Sequence, residues 1–182
     1  LVQINKDNFF DRLKSLVEYH DSPVSTISYY IHSFLSEEIS KSGYKIAISG
    51  TAADEIFTGY YDHYNLWLAE MSQRNDFDEL VEQWRNGYGR FVRNPALKNP
   101  KHYINNENNI DHFFLNSELF NSFMIEPLNY SHSNTAYTKL SKLRNRMLNE
   151  LNNEIVPVIL KEDDANSMMF SIENRSPFLD TR

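Results

Sequence analysis

Tyr44-Lys45-Ile46-Ala47-Ile48-Ser49-Gly50-Thr51-Ala52-Ala53-Asp54-Glu55 is where the chain changes character. Tyr44 to Ser49 is a short apolar run of the kind buried in a parallel sheet. Gly50 closes it, and a helix is expected at once over Ala52 to Phe57. Open parallel sheets bind ligands at the carboxyl ends of their strands, and helix N-termini favour anionic groups such as phosphate. Gly50, lacking a side chain, lets a ligand approach the backbone closely. Asp54 and Glu55 fall on the first helical turn, where carboxylates can hold Mg²⁺ against phosphates. Thr51-x-x-Asp54 also fits a helix-capping box, which stabilises a helix start by ~1 kcal/mol and does no chemistry. Capping and ligand binding are compatible, because a capped terminus is also a rigid one. Gly59 is read as the end of this short helix.

Helical periodicity dominates on either side. Phe9, Phe10, Leu13, Leu16 and Val17 repeat at helical spacing between Asn8 and Tyr19, an amphipathic first helix, and Asp21-Ser22-Pro23 breaks the chain. A second helix is expected from Thr26 to Ser40, with Ile27, Tyr30, Ile31, Phe34 and Leu35 facing inward. Aromatic-rich helices follow over Tyr60 to Met71 and Phe77 to Tyr88, with Trp67 and Trp84 at core-like positions. Asn94 to Asn109 reads as loop, and the abundant asparagine reads as compositional drift. A long helix is expected over Ser133 to Asn153, interrupted at Pro157. Lys161, Asp163 and Asp164 read as a solvated face. The sum is about eight helices and one clear strand. A lone buried strand leaves backbone groups unsatisfied, so its neighbours are expected outside this chain. The chain also begins at Leu1 and stops at Arg182, as expected of a piece of a longer protein.

Composition narrows the function classes. The 182 residues are 41% hydrophobic and 24% charged, enough apolar mass for a core. With 5 glycines and 6 prolines, a turn-rich sandwich or barrel is disfavoured. No cysteine is present, which excludes disulfides, thiolate zinc sites and a cysteine nucleophile within these residues. A net charge of −7 argues against nucleic acid as a partner. No apolar run approaches a membrane span and no signal peptide is visible, so neither a membrane nor export is expected. A soluble, cytoplasmic protein is the expectation. Histidine spacing supports no zinc site, and Asp62-His63 are neighbours that do not face each other on a helix.

The stretch Ser49 to Tyr60 resembles the S-G-x-G-x-D-E-[LIV]-F-x-G-Y signature of the synthetase domain of asparagine synthetases. Asn166-Ser167-Met168 and Ile172-Glu173-Asn174-Arg175-Ser176-Pro177-Phe178-Leu179-Asp180 resemble that family's S-M-x(4)-E-x-R-x-P-F-L-D segment. Asp21-Ser22-Pro23-Val24 is similar to its D-x-P segment. Three blocks in the right order span nearly the whole chain.

The resemblance implies an α/β fold, a fragment of an adenine-nucleotide alpha-hydrolase-like (PP-loop ATPase) domain over residues 1–182. It implies ATP-dependent adenylation of the aspartate β-carboxylate, then displacement of AMP by ammonia from a separate glutaminase domain. ATP and Mg²⁺ are the implied cofactors; aspartate and the glutaminase domain of the parent chain are the implied partners. Ser49 and Gly50 are implied nucleotide contacts. Thr51 stands at a position linked to the adenylated intermediate, where the family often has an acid, and Ala52 stands at the family's next glycine. Asp54 is implied near pyrophosphate and Mg²⁺, with Glu55 a lesser neighbour. Arg175 is read in two ways, as a phosphate or carboxylate clamp or as a structural partner of Glu173, with Pro177-Phe178-Leu179 in the core. The family's S-G-G-x-D-S loop does not occur in these residues, and its catalytic lysine is implied beyond Arg182. The chain alone is therefore expected to be inactive.

Two other readings stand beside this one. Thr51 suits a related ligase that amidates another carboxylate or closes a lactam. The helical, aromatic-rich remainder suits a non-catalytic interaction module. Self-association as a homo-oligomer is left open by the sequence.

Overall fold

The computed structural model describes residues 2–4, 7–106, 117–127, 135–139 and 141–181. In chain order the described elements are α1 (Phe9–His20), α2 (Ile27–Lys41), β1 (Ile46–Ile48), α3 (Ala53–Phe57), α4 (Tyr61–Glu70), α5 (Phe77–Asn86), α6 (Ser117–Asn121), α7 (Lys142–Asn149), α8 (Val156–Met169) and β2 (Glu173–Arg175). They divide into two compact units, Leu1–Ile56 with Glu150–Arg182, and Phe57–Asn149. The mostly helical α/β character expected from the sequence is what the structure has.

In the first unit β1 does have a neighbour within the chain. β2 pairs with it in parallel, Ile46 opposite Glu173, Ala47 opposite Asn174 and Ile48 opposite Arg175. The ladder continues at both ends, Glu173 N donating to Lys45 O and Ser49 N to Arg175 O, each at 2.9 Å. Glu-Asn-Arg carries no apolar alternation, so no period-2 signal marks it as a strand. The expectation of a strand without a partner in these residues is corrected. The strand is also less covered than its composition suggests, with Ile46 47% and Ile48 76% exposed.

Helix α8 is the spine of this unit, packing against α1, α2 and β2. Pro157 sits in its first turn, where proline forfeits no intrahelical hydrogen bond, just past the bend at Ile155 that separates α8 from the helical stretch before it. Its acidic run is only partly solvated. Lys161 and Asp164 are exposed, but Glu162 is buried and accepts a hydrogen bond from Ser25 Oγ at 2.9 Å. Asp163 meets His32 Nδ1 at 3.1 Å, and the buried Asn166 donates from Nδ2 to Tyr29 O at 2.9 Å. Arg12 of α1 lies over the Phe34 ring and bonds Glu37 Oε2 at 2.7 Å and Ser33 Oγ at 2.9 Å. With Lys41 on its other oxygen, Glu37 is held below the usual carboxylate range, the Lys41 bond contributing most and the Arg12 bond next. The buried side of α2 is therefore Tyr29, Tyr30, Ser33 and Ser36, whereas the expected inward residues Ile27, Ile31 and Leu35 are exposed.

The second unit holds a conventional core. Leu66, Leu68 and Ala69 of α4 pack with Val81 and Trp84 of α5 and with Val92, Leu97 and Tyr103. Trp84 is in the core as expected, but Trp67 is 37% exposed. Asp62 is buried and paired with Arg146 Nε at 3.4 Å, while the buried His63 lies edge-on to Tyr60. The long helix expected from Ser133 is not continuous. Residues 135–139 are not helical, α7 spans Lys142–Asn149, and a π-helical stretch follows over Glu150–Glu154. Ser133, Asn134 and Leu140 of that expectation, and Glu107, Asn108 and Asn109 of the asparagine-rich loop, lie outside the described residues.

Asparagine is not mere drift. Asn65 Nδ2 donates to Leu97 O and Asn99 O at 2.9 and 3.2 Å. Asn149 accepts from Thr135 N and donates to Thr135 O, each at 2.9 Å. A primary amide offers donors and an acceptor in one plane, so it can satisfy irregular backbone where no ladder exists.

Candidate functional site

The carboxyl ends of β1 and β2 place Ser49 and Ser176 side by side, one residue beyond the Ile48–Arg175 pair. Ser49 Oγ lies 2.9 Å from Thr51 Oγ1 and 3.2 Å from Ser176 Oγ, within hydrogen-bond range of both. Three hydroxyls from two strands and the intervening turn thus converge at one strand end. Each can donate one proton and accept two hydrogen bonds, so the cluster can turn its donors toward an anionic oxygen or its lone pairs toward a donor. Ser176 was missed by sequence reasoning. Its only signal was the parallel pairing itself, which becomes visible once β2 is recognised.

The turn following Ser49 is closed by Ala53 N donating to Gly50 O at 3.1 Å, and α3 begins with Ile56 N on Ala52 O at 3.0 Å. The Thr51 hydroxyl is engaged with Ser49, so it forms no cap on α3 and the capping-box reading is corrected. Ala52 takes a φ of +73° and is buried. A left-handed backbone costs a residue with a Cβ about 1–2 kcal/mol, which is why glycine suits such a position. The chain keeps the turn's shape although alanine occupies it.

Gly50 has a different reason to be small. A Cβ built there meets no protein atom within 4 Å, so nothing in the fold requires glycine. The open space lies on the outside of the turn, where an approaching molecule meets bare backbone. Asp54 is exposed on α3 and has no hydrogen-bond or ion-pair partner among the described residues, whereas Glu55 is buried. Asp54 belongs to no group of three or more metal-ligating side chains among the described residues. A Mg²⁺ held there would draw its remaining ligands from water and substrate phosphates, the usual arrangement for this ion.

Arg175 ends β2 and points its Nε at Glu173 Oε1, 2.9 Å away, two residues back on the same strand face. Both side chains are more than half exposed, and the hydrogen bond to Glu173 raises the guanidinium's already high pKa further. This is the structural pairing expected of them. Its terminal nitrogens have no partner among the described residues, so a clamp on an anion remains chemically open to them. Pro177–Leu179 forms a 3₁₀ turn, and Phe178 is 45% exposed, which corrects the expectation that this segment is core.

Ser49, Thr51 and Ser176 therefore meet at one strand end with Gly50 in the turn between them, and only the backbone of Arg175 joins them, its side chain bonding Glu173, while no contact among the described residues brings the Asp54 side chain to the cluster. Among the described residues no helix is long and apolar enough to cross a membrane. The comparisons with curated proteins and with solved structures give no match. The family model described as asparagine synthase, a domain of the PP-loop ATPase type, matches residues 1–182. Matched from end to end, and carrying the strand–turn–helix block at its site, this chain belongs to the asparagine synthase family, a family of ligase-type enzymes for which ATP-dependent amide formation is indicated.

Proposed function

We propose that the protein forms asparagine, using ATP to adenylate the aspartate β-carboxylate and ammonia derived from glutamine to displace AMP. The observation that supports this most is the open turn at Gly50, flanked by the Ser49–Thr51–Ser176 hydroxyls and the unpartnered Asp54 carboxylate. In this reading the Ser49 hydroxyl and the Gly50 backbone contact the nucleotide. Thr51 orients the reacting carboxylate through its hydroxyl, Asp54 holds Mg²⁺, and Arg175 offers its terminal nitrogens to an anionic group. Mg²⁺, when bound, neutralises phosphate charge; the chain's own part is to orient it and the carboxylate. Preorganised donors are what adenylation asks of a protein, since charge develops on oxygen in the transition state. The reaction belongs to the full parent polypeptide in the cytoplasm, with residues 1–182 inactive alone.

A second reading is favoured by Thr51. A hydroxyl at the position where the family often has an acid carries no charge to repel or orient an anion, so another carboxylate can be the acceptor. The test is pyrophosphate release by the full-length protein with ATP, Mg²⁺, glutamine and either aspartate or other carboxylates. Release that ignores aspartate would sink the asparagine assignment and leave the adenylation chemistry standing. Gly50→Ala sharpens the same assay. The substitution leaves folding stability unchanged or raises it by ~0.4–1 kcal/mol, because the fold offers the methyl open space. Loss of pyrophosphate release in that stable variant is the expected result. Full activity in Gly50→Ala would remove the nucleotide from this turn.

A further inference from the structure

Between Gln83 and Asn106 the chain carries Arg85, Arg90, Arg93, Lys98 and Lys101 and no Asp or Glu, although its net charge is −7. Arg85, near the end of α5, is held by Glu82. The other four are exposed, and none of them forms an ion pair among the described residues. Elsewhere Arg12, Lys41, Arg74 and Arg146 each meet a carboxylate. Positive charge is concentrated in this stretch and left uncompensated.

The stretch is also pinned to a core. Val92, Leu97 and Tyr103 are buried in the same cluster as Trp84. Gly89 lies so close to Trp84 that a Cβ there would stand 2.5 Å from Cζ3, which sets the 3₁₀ turn Tyr88–Arg90 against that ring. Phe91 N donates to Tyr88 O at 2.9 Å and closes the turn. Val92 is buried, while Arg90 and Arg93 on either side of it in sequence are exposed. Phe91 between them is more than half exposed. A charged surface fixed in this way loses little freedom on binding.

Guanidinium groups pair with carboxylate or phosphate, so charge alone admits several partners. Two features select among them. An extended polyanion, whether a bilayer or a nucleic acid, also meets the acidic remainder of the chain. A short segment meets only what lies within a Debye length, about 8 Å at physiological salt. The exposed rings, moreover, each have one face covered. Tyr64 stacks on Tyr88 with centroids 4.0 Å apart, and the Arg90 guanidinium carbon lies 4.8 Å from the Phe91 centroid. Rings so covered suit one apolar side chain better than a run of stacked bases.

We propose that this surface docks an acidic segment of a partner polypeptide, with carboxylates on Arg90 and Arg93 and an apolar side chain between them on Phe91. Lys98 and Lys101 add to the attracting field. The proposal does not rest on the ligase reading, since none of these residues belongs to the three motif blocks.

The probe is a fluorescein-labelled peptide whose central Leu-Phe pair is flanked on both sides by Asp and Glu. Fluorescence anisotropy with the full-length protein reads its binding, which should saturate and weaken as salt rises. The double variant Arg90→Ala, Arg93→Ala should bind about tenfold more weakly, each exposed charge pair being worth a few-fold. Phe91→Ser should bind about threefold more weakly, which a purely electrostatic surface would not show. Circular dichroism checks that the variants fold, and a peptide with Asn and Gln in place of the acids tests the charge requirement on unaltered protein. No saturable binding of the acidic peptide overturns the proposal, as does equal affinity for the Asn/Gln peptide or an affinity unchanged in either folded variant. Tighter binding to phosphatidylserine vesicles or to oligothymidylate overturns it in favour of a membrane or a nucleic acid. A salt-sensitive dimer that the double variant abolishes overturns it in favour of a second copy of the chain.

Discussion

Both units of this protein bury polar side chains, Asp62, His63, Asn65 and Asn149 among them in Phe57–Asn149, but the proportion of apolar to polar burial differs. Phe57–Asn149 packs a continuous cluster of Leu66, Leu68, Val81, Trp84, Val92 and Leu97, with aromatic residues around it. Leu1–Ile56 with Glu150–Arg182 buries Ser33, Ser36, Glu55, Glu162, Asn166 and Ser167, and leaves Ile27, Ile31, Leu35, Ile46 and Ile48 exposed. The unit with the ordinary core carries none of the motif residues matched to the family's chemistry, apart from the tail of the first block. The unit with the more polar interior holds Ser49, Thr51, Asp54, Arg175 and Ser176. Buried polar groups fix geometry through directional bonds, which suits a site whose hydroxyls must meet within 3.2 Å.

The sharpest way to break this contrast is truncation in each unit. Leu68 has no exposed surface, and Leu68→Ala should cost about 3 kcal/mol from lost transfer energy plus the cavity left behind. Ile48→Ala, at a 76% exposed position, should stay within about 0.5 kcal/mol. Urea denaturation of both variants decides the matter. Equal losses would mean that β1 is covered as an apolar strand after all, as its sequence alone suggests.

A smaller effect is expected at Ala52. Ala52→Val places a β-branched side chain in a buried left-handed turn, and stability should fall by about 2 kcal/mol or more. Ala52→Gly should lie close to neutral. Relief of about 1–2 kcal/mol of backbone strain is offset by the lost buried methyl, ~0.8 kcal/mol, and by the freer unfolded chain. A Val variant as stable as wild type would show that the turn relaxes out of the left-handed region.

What the sequence made legible follows the same division. The strand–turn–helix at Ser49–Phe57 and both ends of α1 and α2 were readable to within a residue or two, because apolar runs and turn residues encode them locally. The partner strand Glu173–Arg175 was not, since its identity comes from pairing and not from its own pattern. The inward face of α2 was misread for a related reason. Periodicity assigns Ile27, Tyr30, Ile31 and Leu35 to the core, but only Tyr30 of these is buried, and Tyr29, Ser33 and Ser36 complete the buried side. Ser176 shows the cost at the site, because a serine between Arg175 and Pro177 has no local mark of function.

That residue provides the next prediction. Ser176→Ala removes one of the three hydroxyls from an exposed strand end, with little effect on folding. Within the ligase reading, kcat/KM for the carboxylate substrate should drop about fivefold, the worth of one hydrogen bond of ~1 kcal/mol. Ser49→Ala, which removes the hydroxyl shared by both neighbours, should cost more. Steady-state pyrophosphate release by the full-length variants measures both. If Ser176→Ala is indistinguishable from wild type and Ser49→Ala is not, the cluster reduces to the Ser49–Thr51 pair.

The smallest effect is the one most particular to the polar unit. His32 on α2 bonds Asp163 on α8, and that bond, outweighing the opposing effect of burial, raises the imidazole's pKa above its ordinary 6.5. A group whose folded-state pKa is raised contributes its full stabilisation below the unfolded-state value and loses it as pH rises through the folded-state value. Stability should therefore decline slightly between about pH 6 and 8, and His32→Gln should flatten that decline. His32 is 48% exposed, so solvent screening holds the difference to a few tenths of a kcal/mol, less again in high salt. Urea midpoints at pH 5.5 and 8, for wild type and variant at two ionic strengths, give the comparison. A wild type that gains stability relative to His32→Gln as pH rises would reverse the sign and show that His32 is held neutral. Leu68 lies in the other unit, so a difference between wild type and His32→Gln that persists in the Leu68→Ala background belongs to the contact between α2 and α8.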